Sequence, residues 1–251
     1  LGRAGSMKNL IRGHIYQLKK DNFFFGCLAF SLAFLFMSIR FLSPGPETGV
    51  VPGTESLFST FMGGDIVLYA FMLLTTNMIA EAYRSGVMKN IIGRGIPKEQ
   101  YYLSIVFVIS AAYLLAMLIS SIVTGGIASS RFGMGTVLYP GYYALSVAAR
   151  ILFVMAYISF AVTMAIFTRN AITGVILGLV IPNIPQIVEM VLSFLKIHIS
   201  LDFLKISTYM PSVYEASNDL SSFLPCFIVL CGYFVVSVFI GFRLLRRQDV
   251  K

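Results

Sequence analysis

Charge is what this sequence has least of. Lysine, arginine, aspartate and glutamate make up 12% of its 251 residues, against roughly 25% for a water-soluble chain of this length. With 57% hydrophobic residues and a mean hydropathy of +0.84, the charged groups cannot cover a soluble surface, and the implied solvent is a bilayer. Disorder and a collagen-like chain are excluded by the same composition. Cysteine occurs three times, at Cys27, Cys226 and Cys231; an odd set lying in apolar runs excludes a disulfide scaffold and reads as inert packing. No Gly-x-x-x-x-Gly-Lys-Ser/Thr loop occurs, so the chain does not bind ATP by that route.

What charge there is leans positive, to a net +8. The basic residues are scattered between apolar segments instead of forming one phosphate-neutralising surface, which argues against nucleic acid as a partner. Residues 1–6 precede Met7 and read as the remnant of an expression tag, leaving 7–251 as a single transmembrane domain. From Met7 the chain mixes polar with apolar residues as far as Asp21, unlike a secretion signal.

A membrane helix needs about 20 mostly apolar residues. Six stretches qualify: Asn22–Ile39, Ser56–Ala80, Tyr102–Val123, Tyr142–Thr168, Ala171–Leu195 and Leu220–Phe242. Only Arg169 and Asn170 separate the fourth from the fifth, so the chain reverses there. The predicted fold is therefore all-α and polytopic. The N-tail, the 81–100 loop, Arg169 and the C-tail hold fourteen of the nineteen basic residues. Because cytoplasmic loops collect lysine and arginine, a multi-pass cell-membrane protein with both termini on the cytoplasmic side is expected.

Between Met7 and Asp21, Leu10, Ile11, Ile15 and Leu18 share one helical face, opposed by Lys8, Arg12, Lys19 and Lys20. This suits a helix lying in the membrane interface, and the same charges would anchor the topology. The 81–101 loop is also two-faced: Tyr83, Val87 and Ile91 recur every four residues, as do Met88 and Ile92, with Ser85, Lys89 and Asn90 opposite. Arg84 intrudes on the apolar arc. The spacing predicts a short amphipathic helix ending at Gly93–Gly95, before Ile96 and Pro97 start a new element.

A Glu81 closing the second span, a Gly-x-x-Lys-Asn helix from Gly86 through Lys89 and Asn90, then Gly95-Ile96-Pro97-Lys98 and Tyr101 leading into the third resembles the ABC-2 type permeases. The resemblance extends over the chain from Met7 onward. It implies a six-span membrane subunit of an ATP-driven exporter, an N-terminal interfacial helix, and a cytoplasmic coupling helix between spans two and three. Glu81, Arg84, Gly86, Lys89, Asn90, Arg94 and Gly95 would then face a separate ABC ATPase subunit. ATP and magnesium would be bound by that subunit, with no cofactor in this chain. The Ser-Arg common after the Gly-Ile pair in that family is Pro97-Lys98 here. Its third-span lysine is replaced by Ser104 or Ile105. Six spans are half of such an exporter, so a second permease protomer, identical or related, is expected, with lipid around both.

Ionisable residues inside a span are costly and usually face protein or water. Asp65, Arg150 and Glu189 lie several residues in from the outer ends of their spans. They read as an ion-pair layer joining spans two, four and five, as carboxylates of which Asp65 or Glu189 attracts a cationic substrate, or as side chains snorkelling to the interface. Pro182 and Pro185 predict a kink in span five, serving either packing or a substrate pathway. Beyond it, Ile197, Leu201 and Leu204 predict a short outer helix ending before Pro211. Gly63-Gly64-Asp65 lacks the first glycine of the intramembrane aspartyl protease pattern, where Met62 stands, and no other span supplies a second aspartate. His14 and His198 fall on opposite sides of the bilayer, so no shared metal site is expected. No Ser-His or Cys-His pair assembles at one depth, and the chain is not expected to be an enzyme.

Spans rich in Phe, Met and Tyr suit an amphipathic or apolar cargo. Resemblance to small permeases of this family points to export of a toxic or antimicrobial peptide. Alternatives are a lipid or drug exporter, or a membrane scaffold that recruits a cytoplasmic partner without transport.

Overall fold

Apolar runs form helices in a bilayer because a helix satisfies its own backbone polar groups. A computed structural model describes residues 2–41, 53–93, 95–135, 140–196, 200–205 and 220–247. The order among them is α1 (Gly2–Lys20), α2 (Asn22–Phe41), α3 (Gly53–Met62), α4 (Asp65–Arg84), α5 (Val87–Gly93), α6 (Lys98–Phe132), α7 (Pro140–Thr168), α8 (Ala171–Val180), α9 (Ile184–Phe194) and α10 (Leu220–Arg247), with 3-10 turns at Ile181–Asn183 and Asp202–Leu204. No strand occurs among the described residues. Among the described residues, five stretches are long and apolar enough to cross a membrane: Gly53–Arg84, Lys98–Phe132, Tyr143–Thr168, Ala171–Phe194 and Phe223–Arg247. Asn22–Phe34 of α2 stands apart from these five as a shorter apolar helix.

The second span departs from the single helix expected over 56–80. It begins at Gly53 and breaks at Gly63 and Gly64, giving α3 and α4. The break has a packing cause: Tyr113 donates its hydroxyl to the Gly64 carbonyl at 2.8 Å, and a Cβ at Gly64 would collide with Met117 and Tyr113. α3 runs along the C-terminal half of α6, where Gly53 meets Ser129, Gly125 meets Leu57, and Thr54 donates to the Met134 carbonyl through its backbone and hydroxyl. α6 itself spans 35 residues, about 52 Å, well beyond the expected 102–123.

α7 is the hub, with Val154, Ile158, Ala161, Val162 and Ala165 wholly buried and α4, α6, α8 and α10 packed around it. A buried polar joint ties three helices: the Tyr102 hydroxyl reaches the Ser159 carbonyl and Thr163 Oγ1, both at 3.0 Å, and Thr163 donates to the Ser237 carbonyl at 3.1 Å. Lys98 donates to the Leu245 carbonyl at 2.8 Å, and Arg246 pairs with Glu99 at 2.8 Å, so α6 starts where α10 ends. Cys27 and Cys226 are buried as expected, whereas Cys231 is exposed.

α1 continues back through Gly2–Ser6, the residues that read as a tag remnant. Its inward face is Leu10, His14 and Leu18, with Ile15 exposed, so the helix is turned towards His14 relative to the expected face. α1 docks on the start of α6. The His14 ring meets Tyr101 edge-on at 5.3 Å, and its Nδ1 lies 3.2 Å from Gln17 Oε1. Burial holds the imidazole below its usual range against a smaller opposing effect from Gln17.

Candidate functional site

Two constellations stand at opposite ends of the bundle. At the basic end, α4 closes when the Ser85 amide donates to the Glu81 carbonyl at 2.8 Å. Gly86 then takes φ 71° and Gly95 takes φ 79°, left-handed values that favour glycine. Between them α5 is anchored by the buried Met88, with Ile91 and Ile92 half-buried against the core. Glu81, Arg84, Ser85, Lys89, Asn90 and Gly95 are exposed. Arg94 lies outside the described residues. The two-faced helix read from the sequence is therefore present, with its polar side outward. Beside it a cleft of about 510 Å³ is bordered by Lys20, Asp21, Glu81 and Val87. Arg84 faces a different concavity, bounded by Arg169 and Asn170.

At the other end, Asp65 opens α4 about 28 Å along the helix from Arg84. Arg150 Nη1 donates to Asp65 Oδ1 at 2.6 Å, with the arginine side chain 0% and the aspartate 37% exposed. Arg150 Nη2 donates to the Tyr113 hydroxyl at 2.7 Å, which passes a hydrogen bond to Gly64. The guanidinium lies 5.0 Å from the Phe153 ring centre and 5.9 Å from that of Tyr113. An arginine so enclosed is held by a charge, a hydroxyl and two aromatic rings. The chain thereby clamps α4, α6 and α7 at the point where the second span breaks.

Glu189 does not join this layer. It pairs with Lys205, which also contacts Asp202 at 2.8 Å, while Tyr233 fixes the turn by donating to the Leu204 carbonyl at 3.0 Å. The cause lies in the fifth span. Pro182 lies in the 3-10 turn between α8 and α9 and Pro185 in the first turn of α9, and Asn183 Nδ2 donates to the Leu179 carbonyl at 2.8 Å. Glu189 follows that turn and meets the 200–205 segment instead of α7. The expected outer helix is reduced to a 3-10 turn over Asp202–Leu204. Ile197 and 206–219 lie outside the described residues.

A family model described as "Protein of unknown function (DUF2705)" matches residues 16–251. The chain belongs to this family. No curated protein and no solved structure matches it. The matched part of this DUF2705 chain takes in both constellations and starts inside α1. Two of its structural devices are not among the expectations drawn from the sequence. Tyr113 is one; nothing in an uncharged apolar run marks which tyrosine will meet a charge. The other is Gly174-x-x-x-Gly178 on α8, packed against Ala161 and Ala165 of α7. A Cβ would come within 3.0 Å of the Ala165 Cα at Gly174 and 3.1 Å of the Ala161 Cα at Gly178. That small-residue spacing is visible in the sequence and is a signal of close helix approach.

Proposed function

We propose that this chain is the membrane permease subunit of an ATP-driven exporter of ABC-2 type. The observation that carries the reading is α5: a seven-residue helix between two left-handed glycines, Met88 inward and Lys89 and Asn90 outward. A helix anchored on one face and polar on the other is a docking element. Six spans, with α2 as the first, put both termini and α5 in the cytoplasm, in keeping with the clustered basic residues.

The partner is a cytoplasmic ABC ATPase that binds ATP and magnesium, and a second permease protomer completes the pathway. The α8–α9 span leaves most of its surface uncovered by its own chain, which leaves room for that protomer. The cargo is amphipathic or apolar, a toxic or antimicrobial peptide by preference. Closure of the ATPase dimer moves α5, and the spans shift between two packings. The clamp of Asp65, Arg150 and Tyr113 then keeps the outer halves of α4, α6 and α7 moving as one body.

The test is co-purification with the ATPase encoded beside the gene. A stable complex is expected, and Glu81→Ala with Lys89→Ala is expected to weaken it or to uncouple ATP turnover. Absence of a complex, or indifference to both changes, would sink the coupling role and favour a non-transporting scaffold.

A further inference from the structure

The basic end carries a second concavity, of about 380 Å³, between α2, α4 and the start of α8. Arg84 and Arg169 line it, and no acidic residue does among the described residues. The larger cleft beside α5 differs in kind, since Asp21 and Glu81 there offset Lys20. Away from the arginines the walls are mostly apolar, through Phe23 of α2, Leu73 and Ala80 of α4 and Ile172 of α8, with Asn77 of α4 a polar residue among them. Phe23 and Ile172 are 37% and 67% exposed, so the apolar side is open.

Arg169 is held in place. It sits in the reversal between α7 and α8 at φ 54°, and its guanidinium rests 5.4 Å from the Tyr83 ring centre. Asn170 caps α8 by accepting from the Ile172 and Thr173 amides, and the positive end of that helix dipole lies at the same place. A free anion would be served by the arginines alone. Apolar walls descending from a doubly cationic rim match a phosphate with acyl chains attached, and basic pockets between membrane helices take anionic lipid headgroups.

We propose that this cavity binds an anionic phospholipid, Arg84 and Arg169 holding its phosphate oxygens while Phe23, Leu73 and Ile172 receive the upper acyl chains. Arginine suits this role because its planar fork matches phosphate oxygens. The assignment needs only that the helices span a membrane and does not depend on transport.

Native mass spectrometry of the detergent-purified chain tests it, with phosphatidylglycerol, phosphatidylcholine and glycerol 3-phosphate as probes. Phosphatidylglycerol is expected to bind about tenfold more tightly than phosphatidylcholine. Arg84→Gln is expected to weaken it about fivefold, and Arg84→Gln with Arg169→Gln about 25-fold. Lys8→Gln with Arg12→Gln removes equal charge from the exposed face of α1 and is expected to change binding less than about twofold. Arg84 is exposed, so the single variant decides the question if the double variant fails to fold. Unchanged phosphatidylglycerol binding in Arg84→Gln would overturn the site. An equal loss in the α1 variant would show diffuse attraction in its place, and equally tight glycerol 3-phosphate would show a free-phosphate site.

Discussion

Replacing Asp65 by asparagine would leave the Arg150 guanidinium buried with its countercharge gone. At an effective dielectric of about 20, two unit charges 4 Å apart attract by about 4 kcal/mol. Breaking a buried pair by removing one partner costs about 3–5 kcal/mol. Asp65 is 37% exposed, so water already weakens the pair, and the expected cost is about 2–4 kcal/mol. For a chain of this size each kcal/mol moves the melting midpoint by about 2–4 °C, which places the expected fall at about 5–15 °C.

Arg150→Met removes the buried charge itself, leaving an aspartate that water can reach and a Tyr113 still bonded to Gly64. Its cost is expected to be smaller, about 1–2 kcal/mol. Adding Asp65→Asn to Arg150→Met should then cost almost nothing more, because the two changes share one interaction. The buried thiols of Cys27 and Cys226 report unfolding in detergent through a thiol-reactive fluorophore, with Cys231 setting the baseline. All four proteins are melted at one scan rate. An Asp65→Asn protein as stable as the parent, or a double variant whose loss equals both single losses added together, would refute the clamp.

Five of the six expected spans are legible in the sequence as long apolar helices because charges are so rare here that their gaps outline the helices. Rarity also brings Asp65 and Arg150 to notice, and the structure joins them. Depth alone draws Glu189 into the same layer. Depth along a helix says nothing of azimuth, and Lys205 arrives from a segment between α9 and α10 that hydropathy does not position. The break at Gly63 and Gly64 is hidden for a related reason, since two glycines barely lower the hydropathy of a span, and what opens the helix there is a tyrosine on α6. On α1 the apolar period is right to within a fraction of a turn, but an apolar count gives histidine no weight. Such a count leaves the polar ring outside the apolar face, though it fills the space between Leu10 and Leu18. The two-faced pattern of α5 is the clearest local signal, because Gly86 and Gly95 bound it and its period is unbroken between them.

Gly178→Leu should drive α8 from α7, because the new side chain meets the Ala161 backbone, which cannot swing aside. A loss of about 1–3 kcal/mol or more is expected in the same melting assay. Gly26→Ala, with nothing within 4 Å of its added Cβ, should be neutral or slightly stabilising, and equal losses in both would remove the case for close packing at Gly178. The docking of α1 should depend on pH through His14, which takes up a proton less readily when docked than its usual value of 6.5. Below that value the undocked helix binds a proton that the docked one resists, so undocking is favoured as pH falls by up to about 1.4 kcal/mol per pH unit. The docked state gains nothing above pH 6.5, where both forms are neutral. Hydrogen exchange over residues 8–20 should therefore quicken between pH 7.5 and pH 5, once corrected for intrinsic chemistry, while the buried centre of α7 stays protected. His14→Phe, which keeps an aromatic against Tyr101 without the titration, should flatten that dependence. A variant that keeps the full pH response would show that the proton is taken up elsewhere.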